Sequence, residues 1–356
     1  FAILSAIQNH VTGRIPFNPV SEAYKSPYFR TQASLYEQVV TVIQLMSPHF
    51  KHIFNDRGYN KILFPSDPDV PPSNELMSLA EVYIMESDPI FDYPQPQLPN
   101  IKFIGGLSVG PSKELQEPFK SFVERSEKAG VGVAILSFGS LFMNLPKQLE
   151  EKLISALSRL QLNTIWRANL TSPDPNKILT STWLPVNDLL GNKNVKVFMT
   201  HSGLHSLYEA LYHAVPVVCL PIFFDQQPNA ERMEAKGYGR NVDLLKTSAN
   251  ELLKAIEDVA SNNKIKSTIS TASEIYRELY TNPRQEAAFW LDHVMRYGGS
   301  YMRYSGQKIP MYLFIMDYVL VFLAGVVFAL VLFLVVFILK RALSLCLRRD
   351  KHFKKD

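Results

Sequence analysis

Between Trp183 and Gln226 the chain gathers the side chains best suited to holding an anion and a flat ring. The apolar run 195–199 is followed by Thr200-His201-Ser202-Gly203-Leu204-His205-Ser206-Leu207-Tyr208-Glu209, and the stretch closes on Asp225-Gln226. A strand-like run that breaks at small and hydroxylic residues and then opens a helix makes an anion seat. The first N–H groups of such a helix have no intrahelical partner and lie at the positive end of its dipole. His201, Ser202, His205 and Ser206 add donors there, and Gly203 lets the backbone approach a ligand closely. Glu209, one turn into the helix, can accept from a sugar diol. Upstream, Trp183 offers an apolar face on which a base stacks. Ring, phosphate seat and diol acceptor together describe a nucleotide.

The surrounding pattern supplies elements to carry these groups. Strands are predicted over 131–138, 164–167, 195–200, 215–220 and 238–242, with helices over 146–160, 204–213, 228–236, 248–260 and 263–296. Alternation of mostly apolar strands with helices argues for a parallel sheet covered on both faces. Ligands of such sheets bind at the carboxyl ends of strands, where Ser140, His201 and Asp225 fall. Ahead of this region, 31–54 has roughly helical spacing. The stretch 88–100 carries Pro89, Pro94, Pro96 and Pro99 and reads as an extended connector that ends one domain near residue 105. No repeats or low-complexity tracts occur.

Charge and hydropathy narrow the function classes. The net charge is +4, but the tail 340–356 alone contributes +5, which leaves −1 for the remaining 339 residues. A basic face for nucleic acid is therefore not expected. Residues 318–339 form an uncharged run of 22, enough for a membrane helix, and the basic residues after it place the tail in the cytosol and 1–317 in the lumen or outside. The two cysteines, Cys219 in an apolar strand and Cys346 beyond the membrane run, are not expected to pair. Cys219 reads as a small buried hydrophobe, and Cys346 stands where palmitoylation occurs. Asn169-Leu170-Thr171 is an N-glycosylation sequon, usable in a lumenal loop. No acidic metal motif is evident, and no metal or other cofactor is expected.

The order Trp183-x-Pro-x-Asn-Asp-Leu-Leu-Gly191, Thr200-His-x-Gly203, Glu209-Ala, His213-x-Val-Pro216 and Asp225-Gln226 resembles the donor-binding signature of the animal UDP-glycosyltransferases. These are the membrane-bound glucuronosyl- and glucosyltransferases. Ile104-Gly-Gly-Leu107, Ser137-Phe-Gly-Ser140, Trp166-Arg167 and the late apolar run stand in matching places. The resemblance implies an α/β fold of GT-B type, with a C-terminal Rossmann-like doubly wound parallel sheet, the remainder of a second N-terminal Rossmann-like domain, and one C-terminal transmembrane helix. The corresponding divisions are 1–105 on the acceptor side, 106–300 for the UDP-sugar, 301–317 juxtamembrane, 318–339 spanning and 340–356 cytosolic.

The same resemblance implies roles for individual residues. Trp183 would stack on uracil and the Leu184 backbone would read the base edge. His201 and Ser206 would hold the diphosphate, with Gly203, His205, Ser140 and Arg167 beside it. Glu209 would accept from the ribose, and Asp225 and Gln226 would bind the transferred sugar. Plainer roles remain open: a core tryptophan, a helix cap at His201, a turn serine at Ser140, a surface ion pair at Arg167, a solvent-exposed Glu209, turn residues at 225–226. His213 reads as structural. Two departures stand out: Val186 occupies a position where the wider family often has a ribose-binding Gln, and His205 one where it has Asn.

The implied reaction is inverting transfer of a glucuronosyl or glucosyl group from a UDP-sugar to a hydroxyl, or similar nucleophile, of a small lipophilic acceptor. The family's catalytic base is a histidine oriented by an aspartate. It is expected in a front part that this chain, which starts at Phe1 without a signal sequence, lacks. His10, His49 and His52 lie in no matching context. The alternatives are a catalytically silent, membrane-anchored UDP-sugar-binding homologue that associates with active relatives, and a bare membrane-anchored adaptor. Residence in the endoplasmic reticulum membrane as a single-pass type I protein, and a homo- or hetero-oligomer, are also implied. The ending Lys351-His-Phe-Lys-Lys-Asp356 departs from the usual dilysine retrieval pattern.

Overall fold

The structure is a computed structural model that describes residues 80–92, 98–139, 145–223, 225–303 and 311–353, with side chains over 319–341 in the last stretch. The helical spacing at 31–54, the three histidines before residue 53, Ser140, Pro94, Pro96, the Cys346 side chain and the last lysines lie outside the described residues. The chain divides into two units, one up to Arg303 and one from Tyr304.

In the first unit, β1 (Tyr83–Met85) and β2 (Ile101–Phe103) pair in parallel. Then follow α1 (Phe119–Lys128), β3 (Val133–Ser137), α2 (Lys147–Leu157), β4 (Asn163–Arg167) and β5 (Ile178–Ser181). After these come α3 (Val186–Leu190), β6 (Val195–Thr200), α4 (Leu204–Tyr212), β7 (Val217–Cys219), α5 (Gln226–Ala235) and β8 (Gly239–Asn241). Three helices close the unit: α6 (Ala249–Ser261), α7 (Asn263–Leu279) and α8 (Pro283–Tyr297). Strands β3 to β8 form one parallel sheet in the order β5-β4-β3-β6-β7-β8. The order reverses between β3 and β6, so a crevice opens at their carboxyl ends.

Successive side chains of a strand point to opposite faces, and both faces here are apolar. Val133 and Ile135 join one core with Phe122 of α1, Leu207 and Leu211 of α4, and Ile269 and Tyr276 of α7. Ala134 and Leu136 join the other with Leu153 and Leu157 of α2 and Ile256 and Val259 of α6. Every strand of the large sheet that the apolar pattern predicts is present. The pattern did not announce β5, a short edge strand of sequence Ile-Leu-Thr-Ser, or the five-residue α3 that starts just after Pro185.

The reading of 88–100 as an extended connector needs correction at its start. Asp88–Asp92 is a closed turn: the Asp92 N–H donates to the Asp88 carbonyl at 2.8 Å, and Asp88 Oδ1 accepts from the N–H groups of Ile90 and Phe91 at 2.7 and 2.9 Å. The turn delivers Phe91, fully buried, against Tyr208 of α4 with ring centroids 5.2 Å apart. Asp92 then meets the buried Arg232 of α5 at 2.7 Å. Hydrophobic burial of one aromatic ring outweighs the extended preference of the prolines, most of which come later. The core of the large sheet therefore includes residues from before position 105.

The second unit is the helix α9 (Met311–Phe353). Its segment Val319–Arg341, 23 residues long, contains an 18-residue window of mean hydropathy 3.3; as a helix the segment is roughly 35 Å long and sufficient to cross a bilayer core.

Replacing Phe91 by Ala is expected to cost about 3–5 kcal/mol of stability through the lost burial and the cavity left against Tyr208. Chemical denaturation of the full chain in detergent measures it, and an unchanged midpoint would show that the turn is not part of the core.

Candidate functional site

The turn from β6 into α4 carries the centre of the site. Ser202 is fully buried with φ of 70°, a conformation that costs a non-glycine residue on the order of 1–3 kcal/mol. It is held by its neighbours: its N–H donates to Thr200 Oγ1 at 3.3 Å, and its carbonyl accepts from the buried Asn229 Nδ2 of α5 at 3.0 Å. The turn leaves His201 half-buried between two glycines. A Cβ added at Gly139 would stand 2.7 Å from His201 Cε1, and one added at Gly203 would stand 2.7 Å from Nε2. Gly139 ends the segment after β3 and has φ of 68°, so the loops leaving β3 and β6 close on the same imidazole. His201 is not the N-cap of α4: that position is Gly203, with no side-chain cap, and among the described residues no acceptor takes the first N–H groups of the helix.

On the β4 side, Trp183 stands 62% exposed while its neighbour Leu184 is buried. Trp183 is thus not a core tryptophan, in contrast to Trp166, which is. Its loop is braced: Ser181 Oγ donates to the Trp183 carbonyl at 2.8 Å, and Arg167 Nε, at the end of β4, donates to the Thr182 carbonyl at 3.1 Å. Among the described residues Arg167 pairs with no carboxylate; it supports the tryptophan loop. The loop runs into α3, where Asn187 Oδ1 meets His213 Nε2 at 3.0 Å and Asp188 Oδ1 accepts from the Lys113 N–H at 2.9 Å. His213 is structural, as expected, but it links α4 to α3 rather than packing along its own helix. Val186 is half-buried and packs against the core.

The other predicted residues fall as follows. Ser206 lies half-buried in the first turn of α4, and Glu209 lies half-buried one turn on. His205 is exposed, with Nδ1 3.3 Å from Ser108 Oγ and 3.6 Å from Glu86 Oε2. Asp225 Oδ2 accepts from Asn229 Nδ2 at 3.0 Å. Gln226 is only 5% exposed, and its Oε1 accepts from the N–H groups of Ile222 and Phe223 at 2.9 and 3.0 Å. That oxygen is spent inside the protein. Asn169 and Thr171 are exposed in the loop after β4. Cys219 is fully buried, and burial pushes its thiol up to about 12, so it is inert, as a small hydrophobe should be. Among the described residues no three His, Cys, Asp or Glu side chains are grouped to hold a metal ion.

Burial dominates the electrostatics of the site. It lowers the pKa of His201, against a hydrogen bond with the Ser137 backbone and the charge of Asp225. It raises the Glu209 carboxyl to about 7, with the nearby Asp188 charge adding to the effect. Glu209 is therefore not a solvated surface carboxylate, and its environment couples it to the helix that follows Trp183. Sequence reasoning missed Asn229, although it stands four residues after Asp225 on a predicted helix and so shares its face. It also missed Glu86 and Ser108, about 100 residues away from His205, for which no local signal exists.

A glycine-lined histidine and helix N–H groups without a side-chain cap lie at the switch point of the parallel sheet, with an outward indole on the loop after the edge strand β5. The sequence matches the family described as UDP-glucoronosyl and UDP-glucosyl transferase over residues 3–353, and the chain belongs to that family. It is 34% identical over 261 residues to UDP-glucuronosyltransferase 1A5 of Rattus norvegicus, covering 72% of this chain and 49% of the relative. It is 36% identical over 259 residues to UDP-glucuronosyltransferase 2C1 of Oryctolagus cuniculus, covering 72% and 50%. UDP-glucuronosyltransferase 2B10 of Homo sapiens is 32% identical over 290 residues, covering 80% and 54%. The chain thus spans about half the length of these relatives. Among solved structures, the glycosyltransferase of kitacinnamycin superposes with a TM-score of 0.53 at 20% identity, over 72% of this chain and 66% of that one. CalG4, the calicheamicin glycosyltransferase, superposes with 0.51 at 15% identity, over 75% and 66%. The fold is of GT-B type.

The raised Glu209 carboxyl has a measurable consequence. Unfolded, the group titrates near 4.5, and folded near 7, so between these values the folded state holds the extra proton and stability falls as pH rises. Thermal unfolding across that window is expected to show a smaller decline for Glu209→Gln than for the unaltered chain, and Asp188→Asn is expected to move the decline to lower pH. Identical pH profiles for the unaltered chain and Glu209→Gln would contradict the burial.

Proposed function

We propose that the crevice at the carboxyl ends of β3, β4 and β6 binds a UDP-sugar, and that the protein transfers its glucuronosyl or glucosyl group, with inversion, to a hydroxyl of a small lipophilic acceptor. In this reading uracil lies on Trp183 with its edge at the Leu184 backbone. The ribose diol meets Glu209, and the diphosphate meets His201, Ser206 and the first N–H groups of α4, with Gly203, His205, Ser140 and Arg167 around it. The transferred sugar reaches Asp225 and the amide nitrogen side of Gln226. The observation that carries this is the convergence of the β3 and β6 loops on one imidazole, with an outward indole on the loop after the edge strand β5. Family membership supports the donor class.

In the transfer, the acceptor oxygen bonds to the anomeric carbon as that carbon's bond to UDP breaks and UDP leaves with the electron pair. The acceptor's proton passes to a general base that we place outside the described residues. Oriented N–H groups oppose the charge that develops on the departing diphosphate without needing to rearrange. Glu209 suits the diol because a carboxyl that titrates near 7 can shed its proton as two hydroxyl donors arrive. We further place the site in the lumen of the endoplasmic reticulum, with α9 spanning the membrane once and the basic tail in the cytosol.

A second reading, a silent UDP-sugar-binding homologue, draws on Val186, whose packed apolar side chain offers the ribose nothing. Turnover of radiolabelled UDP-glucose and UDP-glucuronic acid by the full-length protein separates the two: UDP binding without turnover of either favours the silent homologue. Trp183→Ala is expected to weaken both UDP and uridine by roughly 5- to 100-fold, the size of one lost base–aromatic stack. Unchanged uridine affinity in equilibrium titration would remove the indole from the base site.

A further inference from the structure

The segment after β2 packs as a strap against α4, α7 and α8. The Gly106 N–H donates to the Tyr276 hydroxyl of α7 at 2.7 Å. Arg284 of α8 donates from Nε to the Leu107 carbonyl at 2.8 Å and from Nη2 to the Ser108 carbonyl at 3.5 Å. Glu86, just past β1, accepts the Leu107 N–H on Oε1, and its other oxygen faces His205 Nδ1. Glu86 is largely buried at 18% side-chain exposure, whereas His205 is 66% exposed. A carboxylate is acceptor-only, so a lone pair on Nδ1 would face it unfavourably, and Nδ1 holds the proton. Ser108 Oγ, 3.3 Å from the same nitrogen, fits that assignment. Nε2 has no partner among the described residues. Helical side chains lean toward the N-terminus, so the second residue of α4 carries its ring toward the free N–H groups of the first turn.

We propose that Glu86 is a positioning residue for the donor seat, orienting the His205 ring through Nδ1 so that Nε2 meets the donor's diphosphate with a proton on each ring nitrogen. This rests on the donor reading above and deepens it. A neutral ring with Nδ1 protonated would turn a lone pair on Nε2 toward an anion, so binding the diphosphate draws a proton onto Nε2. The ring then lies between two negative groups. Glu86 faces it from the β1 end, Arg284 of α8 lies on the strap's carbonyls, and the titratable His201 and Glu209 stand four residues to either side, in the turn before α4 and in α4. No residue of the strap itself within 105–108 is charged. An asparagine at this position would donate to phosphate without help; a histidine needs the carboxylate behind it.

The test is calorimetric titration of the full chain in detergent with UDP and with uridine, near pH 7, in two buffers of different ionisation enthalpy. Glu86→Gln keeps an oxygen for the Leu107 N–H and removes the charge. It is expected to weaken UDP roughly 3- to 10-fold, in line with losing a charge-assisted contact, and to leave uridine within about twofold. Proton uptake on UDP binding should fall in Glu86→Gln and in His205→Asn alike, and the double variant should bind UDP as His205→Asn does. Equal weakening of UDP and uridine, or an undiminished Glu86→Gln effect in the His205→Asn background, would overturn the proposal. His205→Asn sits at an exposed position, so its proton count remains readable even if Glu86→Gln folds poorly, and uptake unchanged from the unaltered chain overturns the proposal by itself. An unaltered chain that binds neither UDP nor uridine would instead sink the donor reading.

Discussion

A hydrogen bond from the buried Asn229 amide to the Ser202 carbonyl fixes how the chain turns between β6 and α4. Ser202 occupies a left-handed conformation there with φ of 70°. A serine accepts that conformation only when surrounding contacts over-determine it, and here the Thr200 hydroxyl and the α5 amide do so. Because the turn is spent on Ser202, His201 lies between Gly139 and Gly203, and Gly203 starts the helix without a side-chain cap. The same Asn229 amide reaches Asp225 Oδ2 at 3.0 Å. One side chain thereby ties the loop after β6 to the loop after β7, the two loops assigned to diphosphate and sugar.

In the proposed donor site, attraction for an anion comes from dipoles more than from formal charge. Burial disfavours the cationic form of His201 and the anionic form of Glu209. Both effects follow from low local polarity, which strengthens the field of fixed N–H groups. A site of this kind holds its ligand without a buried cation that would itself need a partner. It also leaves proton occupancy at Glu209 sensitive to what lies against it, since Asp188 raises the same carboxyl from the neighbouring helix.

Much of this architecture is legible in the residues. Alternating apolar runs place β3, β4, β6, β7 and β8 and the helices α2, α4, α5 and α6 to within a few positions, though not β5, α1 or α3, and the ordered signature from Trp183 to Gln226 marks the turn from β6 into α4. What the chain order conceals is long-range pairing. Proline content at 88–100 suggests an extended connector, yet Phe91 leaves it to enter the core beneath Tyr208. Gln226 reads as a polar residue turned to a ligand, yet its oxygen closes on Ile222 and Phe223. Local spacing shows which groups are polar; it does not show which backbone N–H will claim them.

The two departures from the family pattern have unequal physical consequences. Val186 removes a hydrogen-bonding group and gains burial against the core. In the proposed donor site a missing ribose contact is worth about 0.5–1.5 kcal/mol, and the exchange would leave more of the diol to Glu209. His205 removes nothing, because an imidazole can still donate to an anion, but it changes the conditions under which it does so. An amide donates at any pH, whereas what a histidine donates depends on its protonation, and here a carboxylate from another part of the chain faces the ring. The strap that brings Glu86 to it is itself pinned by α7 and α8. The helix that carries His205 is thus coupled to α7 and α8, and in the proposed donor site a histidine in place of an amide is what would make that coupling matter for binding.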